Sequence, residues 1–343
     1  MLAPFAPGLH RRYAGRLQGR AGAELRYGSR VIAHVAPVQG RSVRSTLRHN
    51  VQLAAEAALG SRYGGVAVLR PSDGSVLALA GLAVSAPQPP GSTFKIITLS
   101  AALSAGLATP SSTYPVRTST TLSGVTLSNA GGEACGGSLS ASFAASCNSV
   151  FAPLGARVGA KRLAARARAF GFEETPRVPV AKPSTIGDPA KDLRDAIAVG
   201  STAIGQNKDL ATPLQMASVA AAIGEHGVRA KPRAVRSDPV LRRRAVSARV
   251  AGQVRDMMIG VVRSGTGTAA ALPGVQVAGK TGTAELRFTG GRATDPRNTD
   301  AWFVAFAPAH NPRVAVGVML VGAGAGGTAA APIARQVLAA ALR

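Results

Sequence analysis

Pro89-Pro90-Gly91-Ser92-Thr93-Phe94-Lys95 opens an apolar stretch that runs to about Ala105 and meets Gly106. Proline and glycine ahead of it and glycine behind it are the punctuation of a helix start and stop, so the segment predicts a helix with Ser92 at its N-terminus. There the first backbone N–H groups lack intrahelical acceptors and the dipole is positive, which favours a developing oxyanion. Ser92 and Lys95 stand one helical turn apart, so the amine is within reach of the hydroxyl. A capped helix bearing a surface lysine would show the same pattern. Lys95, however, is the only charged residue between Asp73 and Arg117, in a helix apolar nearly all round, as buried helices are. Loss of hydration lowers the pKa of such an amine and makes it a general base for the hydroxyl.

Two further short patterns lie in charge-poor segments. Ser146-Cys147-Asn148 sits where no charge occurs between Glu133 and Arg157, and Lys280-Thr281-Gly282-Thr283 contains the only charge between Arg263 and Glu285. The latter falls on a strand predicted from Val275. Gly282 leaves room for a ligand to approach that strand. A cation and two hydroxyls on one edge suit a substrate carboxylate, and the backbone N–H near Thr283 is a candidate second oxyanion donor. Singly these signals are weak: Ser146 and Asn148 suit a helix cap, and an edge-strand lysine discourages aggregation. Their conjunction, once each and in this order within charge-poor stretches of a strongly charged chain, is specific.

Outward from these segments, a helix over Val51 to Leu59 is followed by Gly64 to Arg70, a turn at Pro71-Ser72-Asp73-Gly74, and Ser75 to Ala80, a hairpin signature. Helical and glycine-punctuated sequence continues to about Arg263. Strands return at Val275 to Thr283, Trp302 to Ala307 and Val314 to Val321, before a closing helix from Ala329 to Leu342. Strands at both ends of a helical middle predict an α+β fold, an antiparallel β-sheet flanked by helices with an inserted all-α lobe. Residues 1–45, basic and weakly periodic, read as a linker or the remnant of a pedestal, and residues 46–343 as the catalytic domain.

At 343 residues the chain can bury a large core. A formal charge of +24 and a pI near 11.7 draw it to polyanions. Only seven of its 40 basic residues are lysines, and the arginines form no block interleaved with aromatic rings, so no nucleic-acid partner is expected. Two cysteines and five scattered histidines predict no metal site and no cofactor. Cys135 and Cys147 suit either a disulfide in an oxidising compartment or two buried thiols. No apolar run reaches the ~18 residues of a membrane helix, and the N-terminus lacks a signal-peptide core.

Two nucleotide-binding patterns are decoys. Gly274-Val275-Gln276-Val277-Ala278-Gly279-Lys280-Thr281 fits a P-loop, which would make a nucleotide hydrolase, yet strand-like Val275-Gln276-Val277 lies inside the supposed loop and no helix follows. Gly322-Ala323-Gly324-Ala325-Gly326-Gly327 fits G-x-G-x-x-G, but no second strand or acidic ribose partner comes after it.

Taken together, the three motifs are the S-x-x-K, S-x-N and K-T-G elements of serine β-lactamases and penicillin-binding proteins, and the chain resembles the class B-like DD-transpeptidase domain of the latter. Ala203-Ile204-Gly205-Gln206, Thr212-Pro213-Leu214-Gln215-Met216-Ala217, Gly265-Thr266-Gly267-Thr268 and Ala301-Trp302-Phe303 are similar to segments of these enzymes as well. The resemblance implies a serine acyl-enzyme with D-Ala-D-Ala stem peptides, cross-linking through an amine acceptor, and covalent β-lactam binding. It implies Ser92 as nucleophile, Lys95 as its base, Ser146 and Lys280 on the proton path, and Asn148, Thr281, Gly282 and Thr283 at the substrate. It further implies other cell-wall synthesis proteins as partners and work on the outer face of the bacterial membrane, with the anchor or export segment absent from this chain. No glycosyltransferase region precedes the motifs, unlike the bifunctional class. Ser-Cys-Asn replaces the Ser-Asp-Asn typical of class A β-lactamases, and no deacylating glutamate segment stands out. The alternative is a β-lactamase or β-lactam sensor, which shares the acylation step.

Overall fold

The computed structural model describes residues 5–287 and 295–343. Five strands form one antiparallel sheet: β1 (Gly64–Leu69), β2 (Val76–Gly81), β3 (Ala278–Glu285), β4 (Thr299–Ala307) and β5 (Val314–Leu320), in the spatial order β3-β4-β5-β1-β2. The hairpin expected from the 71–74 turn pairs Leu69 with Val76. Asp73 closes the turn by accepting from the Ser75 N–H and hydroxyl, and Gly74 supplies the positive φ of +69°.

Alternation along β4 shows why the sheet needs cover on both sides. Ala301, Phe303, Ala305 and Ala307 face one hydrophobic cluster, shared with helices α1 (His49–Leu59) and α9 (Gly326–Leu342). Trp302, Val304 and Phe306 face the other, shared with the helical lobe. On that side α7 (Pro213–Gly224) lies so close that a Cβ at Gly317 of β5 would sit 2.2 Å from the Pro213 carbonyl. Every residue of β4 and β5 is buried, so both strands are almost continuously apolar, as two-sided burial requires.

Between β2 and β3 the chain builds the helical lobe from α2 (Lys95–Ser104), α3 (Leu139–Ala144), α4 (Asn148–Val158), α5 (Ala160–Ala169), α6 (Ala196–Ala203), α7 and α8 (Ala248–Ser264). Side-chain caps fix several of its helix starts. Ser138 caps α3, Asp195 caps α6, Thr212 caps α7 just ahead of Pro213, and Ser247 caps α8. In α2 the whole run from Lys95 to Leu103 is buried, which explains its apolar circumference.

Several sequence expectations need correction. The strand expected from Val275 begins at Ala278, because Gly274 at φ +69° turns the chain and Leu272 bridges Val275. The closing helix starts at Gly326 rather than Ala329. Residues 1–4 of the N-terminal segment, and residues 288–294, lie outside the described residues. The rest of that segment is more regular than its weak periodicity suggested, with a helix at Phe5–Leu17 and an exposed hairpin, Ala23–Tyr27 with Arg30–Val35. Its signal was legible: Gly28-Ser29 is a two-residue hairpin loop between β-prone runs.

Phe303, fully buried between α9 and the sheet, carries much of this packing. Phe303→Ala is expected to cost about 3–5 kcal/mol, read as a lower urea midpoint with the denaturant slope unchanged; a midpoint within error of the parent would contradict the two-sided core.

Candidate active site

The three motifs meet at the seam between sheet and helical lobe. Ser92 lies in a 3-10 turn, Gly91–Phe94, that leads into α2, so the α-helix proper begins at Lys95 and not at Ser92. The Lys95 N–H donates to the Ser92 carbonyl, which sets the two side chains one turn apart. Gly91 at φ +53° makes the approach possible: a Cβ there would sit 2.7 Å from the Thr283 carbonyl of β3. Ser92 is half-buried, and among the described residues nothing hydrogen-bonds to its Oγ.

Lys95 is fully buried and its Nζ is enclosed by oxygens of the second motif. It donates to the Ser146 carbonyl at 2.6 Å and Asn148 Oδ1 at 2.7 Å, with Ser146 Oγ at 3.4 Å. Asn148 donates through Nδ2 to the Ser128 carbonyl at 2.8 Å, so both ends of its amide are engaged by protein. Burial, and secondarily the positive charge of Lys280, pulls the Lys95 amine well below the ordinary lysine range.

Ser146 connects α3 to α4 in the left-handed region, φ +64°, unusual for a residue with a Cβ. Backbone bonds hold it there, Ser146 N–H to the Phe143 carbonyl and Cys147 N–H to the Ser142 carbonyl. A disulfide joins Cys147 to Cys135, with Cα atoms 5.8 Å apart, which decides between the two readings of the cysteines.

Lys280, fully buried on β3, donates to Ser146 Oγ at 2.8 Å and to the Thr281 carbonyl at 3.1 Å. Burial pushes its pKa down to about 7. The Ser146 hydroxyl therefore lies between two amines, one from each lobe. Aromatic faces complete the enclosure, Phe151 at 5.6 Å from Lys95 Nζ and Phe143 at 5.4 Å from Lys280 Nζ. Among the described residues no carboxylate forms a salt bridge with either lysine.

The remaining residues flank this centre. Thr281 Oγ1 and Thr266 Oγ1 share a hydrogen bond of 2.6 Å, and the Thr266 N–H donates to the Ala144 carbonyl, which gives the Gly265–Thr268 segment a structural task. Gly282 faces its own chain: a Cβ there would meet Trp302 Cβ at 2.8 Å and the Pro90 carbonyl at 2.9 Å. Its absent side chain thus admits the turn that carries Ser92. Thr283 Oγ1 accepts from the Gly326 N–H at 3.4 Å. Sequence reasoning missed the Asn148 bond to Lys95, the Thr266 contact and the close packing of Gly205 on Gly91. The last is visible only as a glycine in a segment already noted for its resemblance. The P-loop pattern is not a loop here, since Lys280 and Thr281 lie within β3.

Comparison with known proteins identifies the family. Residues 64–339 match the penicillin binding protein transpeptidase domain family. The chain is 38% identical over 370 residues to a peptidoglycan D,D-transpeptidase, PbpA, of Mycolicibacterium smegmatis, covering 89% of this chain and 73% of that protein. It is 41% identical over 305 residues to the PbpA of Mycobacterium tuberculosis, covering 80% of this chain and 59% of that one. Penicillin-binding protein A of M. tuberculosis, solved as a ceftriaxone acyl-enzyme complex, superposes with a TM-score of 0.81 at 35% identity, over 89% of this chain and 81% of that one. Matched over residues 64–339 by this family's model and 38% identical to such an enzyme over 89% of its own length, the chain belongs to the penicillin-binding protein transpeptidase family.

Proposed function

We propose that this chain is the acyl-transfer domain of a peptidoglycan D,D-transpeptidase that cross-links D-Ala-D-Ala stem peptides and is acylated by β-lactams. The observation that carries the reading is the Ser146 hydroxyl held between the Lys95 and Lys280 amines, with Lys95 itself one helical turn from Ser92. In the proposed first step, Ser92 Oγ attacks the penultimate D-Ala carbonyl and gives its proton to Lys95 Nζ. The C–N bond to the terminal D-Ala then breaks, and a proton reaches the departing amine through Ser146 Oγ, with Lys280 hydrogen-bonded behind it. An amine of a neighbouring stem attacks the resulting ester and restores Ser92.

The N–H groups of Ser92 and Thr283 serve as oxyanion donors in this reading. Lys280 and the hydroxyls of Thr281 and Thr283 receive the terminal carboxylate. With Thr266 as donor in the shared bond, Thr281 keeps its proton for that task. Asn148 orients the peptide and also holds Lys95. Gly282 lets the nucleophile turn lie against β3. Among the described residues no carboxylate hydrogen-bonds to Lys95, Ser146 or Lys280, which supports a long-lived acyl-enzyme over rapid hydrolysis.

The working location in this reading is the outer face of the cell membrane, beside other cell-wall synthesis proteins. The disulfide supports an oxidising compartment. Among the described residues no helix is long and apolar enough to cross a membrane.

A fluorescent penicillin is expected to label the chain at Ser92, with the label retained for minutes and D-Ala released from a D-Ala-D-Ala peptide. Ser92→Ala should abolish both, and label persisting in that variant would remove Ser92 as nucleophile. The second-order labelling rate should fall as pH drops and Lys95 takes up its proton, with the acid limb well below 10.5; a limb near 10.5 would contradict a buried base.

Lys280 also predicts a stability effect. Below about 7 it is protonated in both folded and unfolded chain, and the fold bears the cost of the buried charge; between about 7 and 10.5 only the unfolded chain keeps the proton, so stability rises with pH. Lys280→Met should therefore raise the thermal midpoint by about 2 °C or more at pH 6 and by less at pH 10. An equal change at both values would argue against the lowered pKa.

A further inference from the structure

Among the described residues β3 is an edge strand, paired only with β4, and the Ser92 turn approaches its free edge at the Thr283 carbonyl. One side chain already occupies part of that edge. Gln206, just past the end of α6, donates from Nε2 to the Thr283 carbonyl at 3.4 Å and accepts at Oε1 from the Glu285 N–H at 3.3 Å. A donor and an acceptor set against one strand in this way make the rung a neighbouring strand would otherwise form.

The preceding residue grips the other half of the site. The Gly205 carbonyl accepts from the Gly91 N–H at 3.0 Å, and a Cβ on Gly205 would fall 2.0 Å from the Gly91 carbonyl. Two consecutive residues of the helical lobe therefore hold the Ser92 turn by main chain and β3 by side chain.

We infer that Gln206 is a positioning residue for acylation, its side-chain amide fixing the gap between the Ser92 N–H and the Thr283 N–H. The inference rests on the acyl-transfer reading given above. Those two donors belong to different parts of the chain, and an oxyanion must find both at hydrogen-bond distance together. A misplacement of about 1 Å can cost roughly 10²-fold in rate. Gln206 touches no reacting atom, so its loss acts on the acylation step and not on the first, noncovalent encounter.

Stopped-flow fluorescence with a fluorescent penicillin separates the noncovalent Kd from the acylation constant k2 in the full chain. Gln206→Leu keeps the bulk and removes both hydrogen bonds. It should lower k2 roughly 10–100-fold and leave Kd within about twofold. Gln206→Glu adds a readout that a packing role would not move. As a neutral acid it can both donate to Thr283 and accept from Glu285, whereas the ionised carboxylate cannot donate. Its k2 relative to wild type should therefore recover as pH falls from 7 towards ~4.5, the range where a glutamate takes up its proton.

An unchanged k2 in Gln206→Leu, with the wild type labelled normally, would overturn this inference alone. So would a parallel loss of k2 and Kd with a Gln206→Glu ratio that is flat in pH. A wild type that takes no label would sink the acyl-transfer reading and this inference with it.

Discussion

Two lysine amines, one from each lobe, are buried around a single serine hydroxyl, and among the described residues no carboxylate neutralises either. That arrangement is intolerable for two full charges: each burial favours the neutral amine, and the charge of Lys280 further disfavours one on Lys95. Both shifts run in the same direction, against two simultaneous charges in the site. In the proposed acyl transfer a neutral amine near Ser92 is the base the nucleophile needs, so the desolvation that costs stability would also supply that base. Oxygen acceptors from the second motif, the Ser146 carbonyl and Asn148 Oδ1, hold the Lys95 amine in place.

The fold serves this constraint by bringing distant segments to backbone contact. Gly91, Gly205 and Gly282 carry no side chain where the Ser92 turn, the helical lobe and β3 touch, and a methyl group at any of them would lie within 3 Å of main-chain oxygen. The disulfide at Cys147 and the turn at Ser146 place the second motif between the two lysines. Behind these contacts, strands buried on both faces give the sheet a rigidity that loops could not supply.

Much of this was legible in the sequence because charge is scarce around the motifs: a lone lysine in an apolar run announces its own burial, as Lys95 and Lys280 both do. The sheet was legible from its turns and apolar runs, and the inserted helices from their separation of two groups of strands. What escaped were contacts between segments far apart in the chain. No local pattern says that Asn148 binds Lys95, that Thr266 meets Thr281, or that Gly282 makes room for Pro90 in place of a ligand. Start positions also slipped where glycine decided them. Gly274 delays β3 past Val275, and the last helix begins among the glycines at Gly326. The Ser92 turn is 3-10 because the chain bends at Gly91 before the helix can establish its regular bonds.

The central claim concerns the protonation of two buried amines, and it can be measured without substrate. The chain has only seven lysines, so a protein labelled with 13C at lysine Cε, with Lys95 and Lys280 assigned by substitution, allows each to be titrated by NMR. The account predicts that Lys280 titrates near 7 and that Lys95 titrates well below 10.5. Two amines that both keep their protons to the ordinary lysine value would contradict it.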